Sequence, residues 1–133
     1  MEQFEDARLL FEQLADEFES ELEDVFHLTT EISFSTAFSG KFDVSEMRRI
    51  FDNLISNIRK YAEPTEPVEL SIFKMGGDLV IRQSNITKKD KQPSESYKMG
   101  LHSIRRIAQN YGGTVEVHDA DGKFEIMITL SNI

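Results

Sequence analysis

Apolar residues recur at helical spacing near the start of the chain, at Phe4, Ala7, Phe11, Leu14, Phe18, Leu22 and Val25, with acids filling the positions between them. This periodicity predicts an amphipathic helix from Phe4 to about Phe26. Its polar face carries Glu and Asp rather than the Lys and Arg of a membrane-surface helix, so that reading is excluded. The apolar face then packs on the chain's own sheet. Alternatively, because Phe4, Phe11, Phe18 and Val25 repeat every seven residues, the helix is a stub of a longer coiled coil. Leu28, Thr30, Ile32 and Phe34 alternate with the opposite face and predict a half-buried strand, broken by Ser39-Gly40-Lys41. Asp43 as N-cap and Glu46 three residues on form a capping box for a second helix, from about 44 to 62. Pro64 and Pro67 end it. Val68, Leu70 and Ile72 read as a strand, Met75-Gly76-Gly77-Asp78 as a hairpin turn, and Leu79 to Gln83 as the return strand.

Residues 84–98, SNITKKDKQPSESYK, are polar and aperiodic and read as a mobile loop, of a length that is often functional. Met99-Gly100 opens a third helix with Leu101, Ile104, Ile107 and Ala108 on its apolar side, and Gly112-Gly113 stops it. A strand at Thr114–Val117, a tight turn at 119–122 and a strand from Phe124 to Leu130 close the chain. Three helices and about five strands in this order predict an α/β two-layer sandwich, a mixed sheet covered on one face by helices.

The length of 133 residues is that of one domain. Ten Phe and 39% hydrophobic residues make it globular, and with no Cys there is neither a disulfide framework nor a thiolate metal site. No apolar run approaches the roughly 18 residues of a membrane span, and the acidic start lacks the signature of a signal peptide; a soluble chain is expected. The net charge of −9 argues against nucleic-acid binding. The charge is uneven: residues 1–40 carry −10, residues 41–106 carry +4 and residues 107–133 carry −3. A locally basic middle suits a small anionic ligand, and equally describes ordinary solvated charges.

The second helix contains a puzzle. Met47, Ile50, Phe51, Leu54 and Ile58 form its apolar stripe, while Arg49, Asn53, Asn57 and Lys60 form another at steps of four, four and three. Each Asn costs roughly half a kcal/mol of helix propensity relative to Ala. An Asn carbonyl can ligate Mg²⁺ that arrives with substrate phosphates, and the amide nitrogens and the lysine can bind phosphate oxygens. The stripe has the composition of a Mg-nucleotide seat; a polar, solvent-facing helix surface has the same pattern. Gly100, placed at a helix start, would offer phosphate free N–H groups and a close backbone approach.

At these residues the chain resembles a family. NLISNIRKYA (53–62) is similar to the N-box of the GHKL, or Bergerat, ATP-binding fold as carried by sensor histidine kinases. MGLHSIRRIAQNYGGTVEV (99–117) is similar to that family's second glycine box, the helix after it and its Gly-Gly stop. The likeness covers essentially the whole chain and is closest to the peptide-sensing kind of sensor kinase.

It implies that residues 1–133 form one catalytic and ATP-binding domain of a two-component sensor kinase, with sensor and phosphoacceptor domains elsewhere. Asn57 would ligate Mg²⁺, Asn53 would join the phosphate or metal shell, Lys60 would reach the phosphates and Tyr61 would flank the nucleotide. Gly100 and Leu101 would hold phosphate, with His102 beside them, and residues 86–98 would form the lid over ATP. The implied partners are a phosphoacceptor helical domain of the parent kinase and, indirectly, a response regulator. The implied location is cytoplasmic, with no direct membrane contact by this domain.

Several positions depart from the family pattern. The first glycine box, which supplies an Asp to the adenine amino group, is matched by IRQSNIT (81–87), with neither Asp nor Gly. Gln83 takes the Asp position by strand alternation, with Asn85 the other candidate, and a neutral acceptor implies weak ATP affinity. Lys98 stands where the second glycine box has an earlier Gly. Ile58 replaces the small residue after the metal Asn and is expected to narrow the adenine pocket. Asn53 stands where ATP-hydrolysing relatives place a Glu, and an amide cannot act as general base. His27 and His118 lack the acidic neighbour of a phosphoacceptor motif, so the acceptor lies on another domain. Two other functions remain open: a stand-alone anti-sigma-factor-type serine kinase, and a degenerate interaction domain that binds no nucleotide.

Overall fold

The computed structural model describes residues 1–89 and 95–133. Its central element is a five-stranded mixed sheet in the order β2-β4-β5-β7-β6. These strands are β2 (Leu28–Ser33), β4 (Val68–Met75), β5 (Asp78–Ile86), β6 (Thr114–Ala120) and β7 (Lys123–Leu130). The β2–β4 pair is parallel and the other three are antiparallel. Three helices, α1 (Arg8–Leu22), α2 (Val44–Tyr61) and α3 (Glu95–Asn110), pack on the sheet through the core cluster. The two-layer α/β sandwich read from the sequence is the fold observed.

Helix α2 begins as its sequence requires. Asp43 is extended, and its Oδ1 accepts from the Glu46 backbone N–H at 3.1 Å and from the Ser45 hydroxyl at 2.7 Å. These donors hold the Asp43 carboxyl below the usual carboxylate range, the serine hydroxyl contributing most. The five predicted apolar residues of this helix are all buried.

The first helix is shorter than the periodicity predicts. Glu2–Phe4 is a strand, β1, paired antiparallel with Gly40–Phe42, β3, which the sequence reading left as a break. Phe4 packs against Phe42 with ring centroids 6.2 Å apart, so its burial is served from a strand rather than a helix. Phe11 and Phe18 are fully buried in the core, while Val25 lies beyond the helix and is 51% exposed. The seven-residue repeat therefore has no continuous outward seam and no coiled coil forms from it.

Two further boundaries move. Strand β5 runs on through Ser84, Asn85 and Ile86, because β4 pairs with it as far as Asn85 and β7 as far as Ile86. Ladder pairing overrides the polar composition that suggested a loop. Helix α3 begins at Glu95, not at Met99-Gly100; Glu95 puts an acid in its first turn. Of the predicted lid over 86–98, residue 86 is thus strand and 95–98 are helix, and residues 90–94 lie outside the described residues. The final hairpin turns at Asp121-Gly122, whose φ values of 55° and 76° are both left-handed as a type I′ turn requires. Among the described residues no helix is long and apolar enough to cross a membrane.

After α3 the chain must reverse sharply into β6. Gly112 takes a φ of +64°, and a Cβ added at Gly113 would lie 1.7 Å from the Thr129 carbonyl oxygen of β7. That neighbour is backbone in the middle of the sheet and cannot give way. Gly113→Ala should therefore lower the unfolding free energy by about 3 kcal/mol or more, measured by urea denaturation; a loss below about 0.5 kcal/mol would show that β7 is free to shift.

Candidate functional site

Burial of one side of α2 aims the other at the N-terminal half of α3. Asn53, Asn57, Lys60 and Tyr61 line a small cavity of about 30 Å³, closed on the far side by Gly100 and Leu101. Arg49, the first member of the polar stripe, is exposed and does not line it; its carbonyl oxygen accepts from Asn53 Nδ2 at 3.0 Å. Gly100 is in the second turn of α3 rather than at its start, so it presents no free helix-terminal N–H. What it supplies is proximity: a Cβ there would lie 3.1 Å from Asn53 Oδ1. The missing side chain lets the two helices approach.

A second cavity, of about 250 Å³, continues from the first toward the sheet. The two share Asn57, Tyr61, Tyr97 and Phe124, and the second adds Asn85, Thr87 and Asp119. Its floor is a row across three strands, because register pairs Asn85 with Phe124 and Phe124 with Asp119. Tyr97, from the first turn of α3, stands over this row. Its ring packs edge-on against Tyr61 at 5.6 Å and against Phe124 at 6.1 Å, and its hydroxyl donates to Asp119 Oδ2 at 3.0 Å. Burial, and then the Asp119 carboxylate, push this hydroxyl well above its ordinary pKa, so it remains a donor. Larger clefts of about 560 and 690 Å³ lie between α1 and α2 and on the open face of the sheet. Both contain ion-paired charges, Arg48–Glu17 and Arg82–Glu125, and neither gathers unpartnered buried groups.

The cavities do gather such groups. Among the described residues, four side-chain oxygens are buried without a hydrogen-bond partner: Thr30 Oγ1 on β2, away from the cavities, and Asn57 Oδ1, Gln83 Oε1 and Thr87 Oγ1 in or beside them. A buried acceptor left unpaired costs about 1–3 kcal/mol, so three near one site need a reason. Asn57 and Thr87 line the cavities directly. Gln83 does not: it is fully buried, and its Nε2 donates to Asn85 Oδ1 at 2.9 Å. Of the two adenine candidates, Asn85 thus reaches the cavity, and Gln83 sits behind it and fixes its amide.

The remaining sequence candidates fall elsewhere. Lys98 is exposed and lies 3.8 Å from Glu95, and His102 is exposed; neither lines a cavity. Ile58 is fully buried on the apolar stripe and lines neither cavity, so it does not narrow the pocket. No cluster of three or more His, Cys, Asp or Glu able to hold a metal exists among the described residues. The Asn57 carbonyl could give a cation one neutral ligand, the others having to come from a bound anion. Tyr97, Asp119, Phe124 and Thr87 were not recognised from sequence. Tyr97 and Thr87 lay in a stretch read as loop, and the Asn85–Phe124–Asp119 row exists only through register.

Removing the Gln83 amide would leave the buried Asn85 acceptor unpaired. Gln83→Ala should lower stability by about 1–3 kcal/mol, read as a shift in the urea midpoint at unchanged slope; an unchanged midpoint would show that the pair is not formed in solution.

Comparison with known proteins gives a consistent picture. A family model described as the GHKL domain matches residues 42–131. The sensor histidine kinase YrkQ of Bacillus subtilis (strain 168) is 29% identical over 90 residues, covering 68% of this chain and 21% of that protein. The chain thus spans about a fifth of that relative's length. The catalytic domain of histidine kinase ThkA superimposes with a TM-score of 0.75 at 13% identity, covering 99% of this chain and 98% of that one. The mycobacterial sensor histidine kinase MprB gives 0.72 at 16% identity, over 97% and 95%. The Acinetobacter baumannii histidine kinase AdeS gives 0.71 at 17%, over 98% and 66%.

Proposed function

The chain belongs to the GHKL domain family, and on that premise we propose that it binds Mg-ATP and positions it for phosphoryl transfer to a histidine on a separate phosphoacceptor domain of a sensor kinase. A response regulator then receives the phosphoryl group, and the domain works on the cytoplasmic side of a membrane receptor. The observation that carries this reading is the buried, unpartnered Asn57 Oδ1, which faces the cavity between α2 and α3. A neutral carbonyl oxygen in that setting suits a hard cation, and the residues beside it suit phosphate.

In this reading Asn57 holds Mg²⁺, with Asn53 adjacent and Lys60 directed to the phosphates. Mg²⁺, when bound, neutralises phosphate charge. Tyr61 and Phe124 flank the base, and Asn85 meets its polar edge. Gly100 and Leu101 bring α3 close to the phosphates. Lys98 and His102 reach the ligand only if the first turns of α3 rearrange. Phosphoryl transfer asks the protein mainly for position and charge stabilisation, which these residues supply. The position of Asn53, where a general base for water would stand, carries an amide. Efficient hydrolysis is therefore not expected.

The test is calorimetric titration with a non-hydrolysable ATP analogue, with and without Mg²⁺. Metal-dependent binding is expected, and Asn57→Ala should weaken it by about tenfold or more with an unchanged or higher melting temperature, since Ala is the better helix former. Equal binding by Asn57→Ala would sink the assignment of the metal ligand, and absence of binding at millimolar nucleotide would sink the nucleotide reading itself.

A further inference from the structure

Tyr97 occupies the site as a ligand would. Its planar ring lies between two aromatic walls, Tyr61 and Phe124, and its single donor points at the Asp119 carboxylate. It is the wall between the two cavities, lining both. With the ring in place, the Asn53–Lys60–Gly100 side and the Asn85–Thr87–Asp119 side are separate spaces of about 30 and 250 Å³, with Asn57 lining both. A ligand that reaches from Asn53 and Gly100 to Asp119 must displace the Tyr97 ring.

Resting on the nucleotide reading above, we propose that Tyr97 is a built-in occupant of the base's place, and that its displacement hands Asp119 to the exocyclic amino group of adenine. The argument is one of chemical likeness. Adenine, like the Tyr97 ring, is a flat aromatic with a hydrogen-bond donor on its edge, and an aromatic pair with a carboxylate beyond it fits either. Register makes the arrangement durable. Asp119 and Asn85 sit on either side of Phe124, on neighbouring strands, so the acceptor stays at the floor when α3 moves. A carboxylate accepts more strongly than an amide. Strand β6 thereby supplies the charged acceptor that β5, with Gln83 and Asn85, lacks. Such an arrangement selects a purine bearing an amino group, because a base with a carbonyl at that place turns an acceptor toward Asp119. It also sets nucleotide affinity through the stability of the first turn of α3.

The experiment measures dissociation constants of Mg-ATP and Mg-ITP, the inosine analogue with a carbonyl in place of the amino group. It compares the wild-type 133-residue chain with Tyr97→Phe, Tyr97→Ala and the double variant Tyr97→Ala/Asp119→Ala. Removing the hydroxyl in Tyr97→Phe should tighten ATP binding about threefold, and opening the pocket in Tyr97→Ala about tenfold or more. In the Tyr97→Ala background the latch is gone, so any effect of Asp119 is its own. There Asp119→Ala should cost ATP about tenfold and erase its advantage over ITP. Two results overturn the proposal: Tyr97 variants that bind no tighter than wild type, or an ATP-to-ITP ratio that ignores Asp119. Tyr97→Phe keeps the ring and guards against a folding artefact in Tyr97→Ala. The two readings fail separately. Mg-dependent binding that is lost in Asn57→Ala but blind to Tyr97 and Asp119 retains nucleotide binding and discards this inference alone. No nucleotide binding by any variant discards both.

Discussion

Met47, Ile50, Phe51, Leu54 and Ile58 leave water together when α2 lies on the sheet, and the placement of the whole site follows from that burial. Fully burying five side chains of this size is worth roughly 10 kcal/mol as an upper estimate. The two asparagines on the neighbouring stripe cost about 1 kcal/mol of helix propensity between them. The apolar stripe therefore decides the orientation of the helix, and the amides go where it sends them. Asn53 and Asn57 face α3, and the absence of a side chain at Gly100 keeps that helix close.

The opposite end of α3 is anchored by Tyr111. Tyr111 is fully buried; its hydroxyl accepts from the Asp43 backbone N–H at 2.9 Å, and its carbonyl accepts from Ser131 and Asn132. One residue thus ties the end of α3 to the start of α2 and to the chain after β7. Gly112 and Gly113 follow in a turn with no room for a side chain. Near its beginning α3 meets the site through Tyr97, which packs on Tyr61 and Phe124 and bonds Asp119.

The chemistry of the site is built from neutral groups. Asn53, Asn57 and Asn85 line its cavities, with Gln83 behind Asn85, and the charged members, Lys60 and Asp119, lie at its two ends. Amides donate and accept hydrogen bonds without taking protons, which suits positioning and not water activation. Asn57 Oδ1 and Thr87 Oγ1 are buried acceptors without a protein partner, and a ligand that donates to them gains from it.

Periodicity by itself determined the two layers, the boundaries and capping of α2, its apolar and amide stripes, and the hairpin turns, because each depends on neighbours within a few residues. The motif around Asn53 and Asn57 was legible for the same reason. Tertiary structure decided the rest. Phe4 became a strand because β3 was there to pair with it, and Ser84–Ile86 stayed in β5 because two flanking strands required it. Helix α3 began at Glu95, with the half-buried Tyr97 packed between Tyr61 and Phe124. The row of Asn85, Phe124 and Asp119 joins residues up to 39 positions apart, and only strand register, fixed by burial of alternate side chains, brings them side by side.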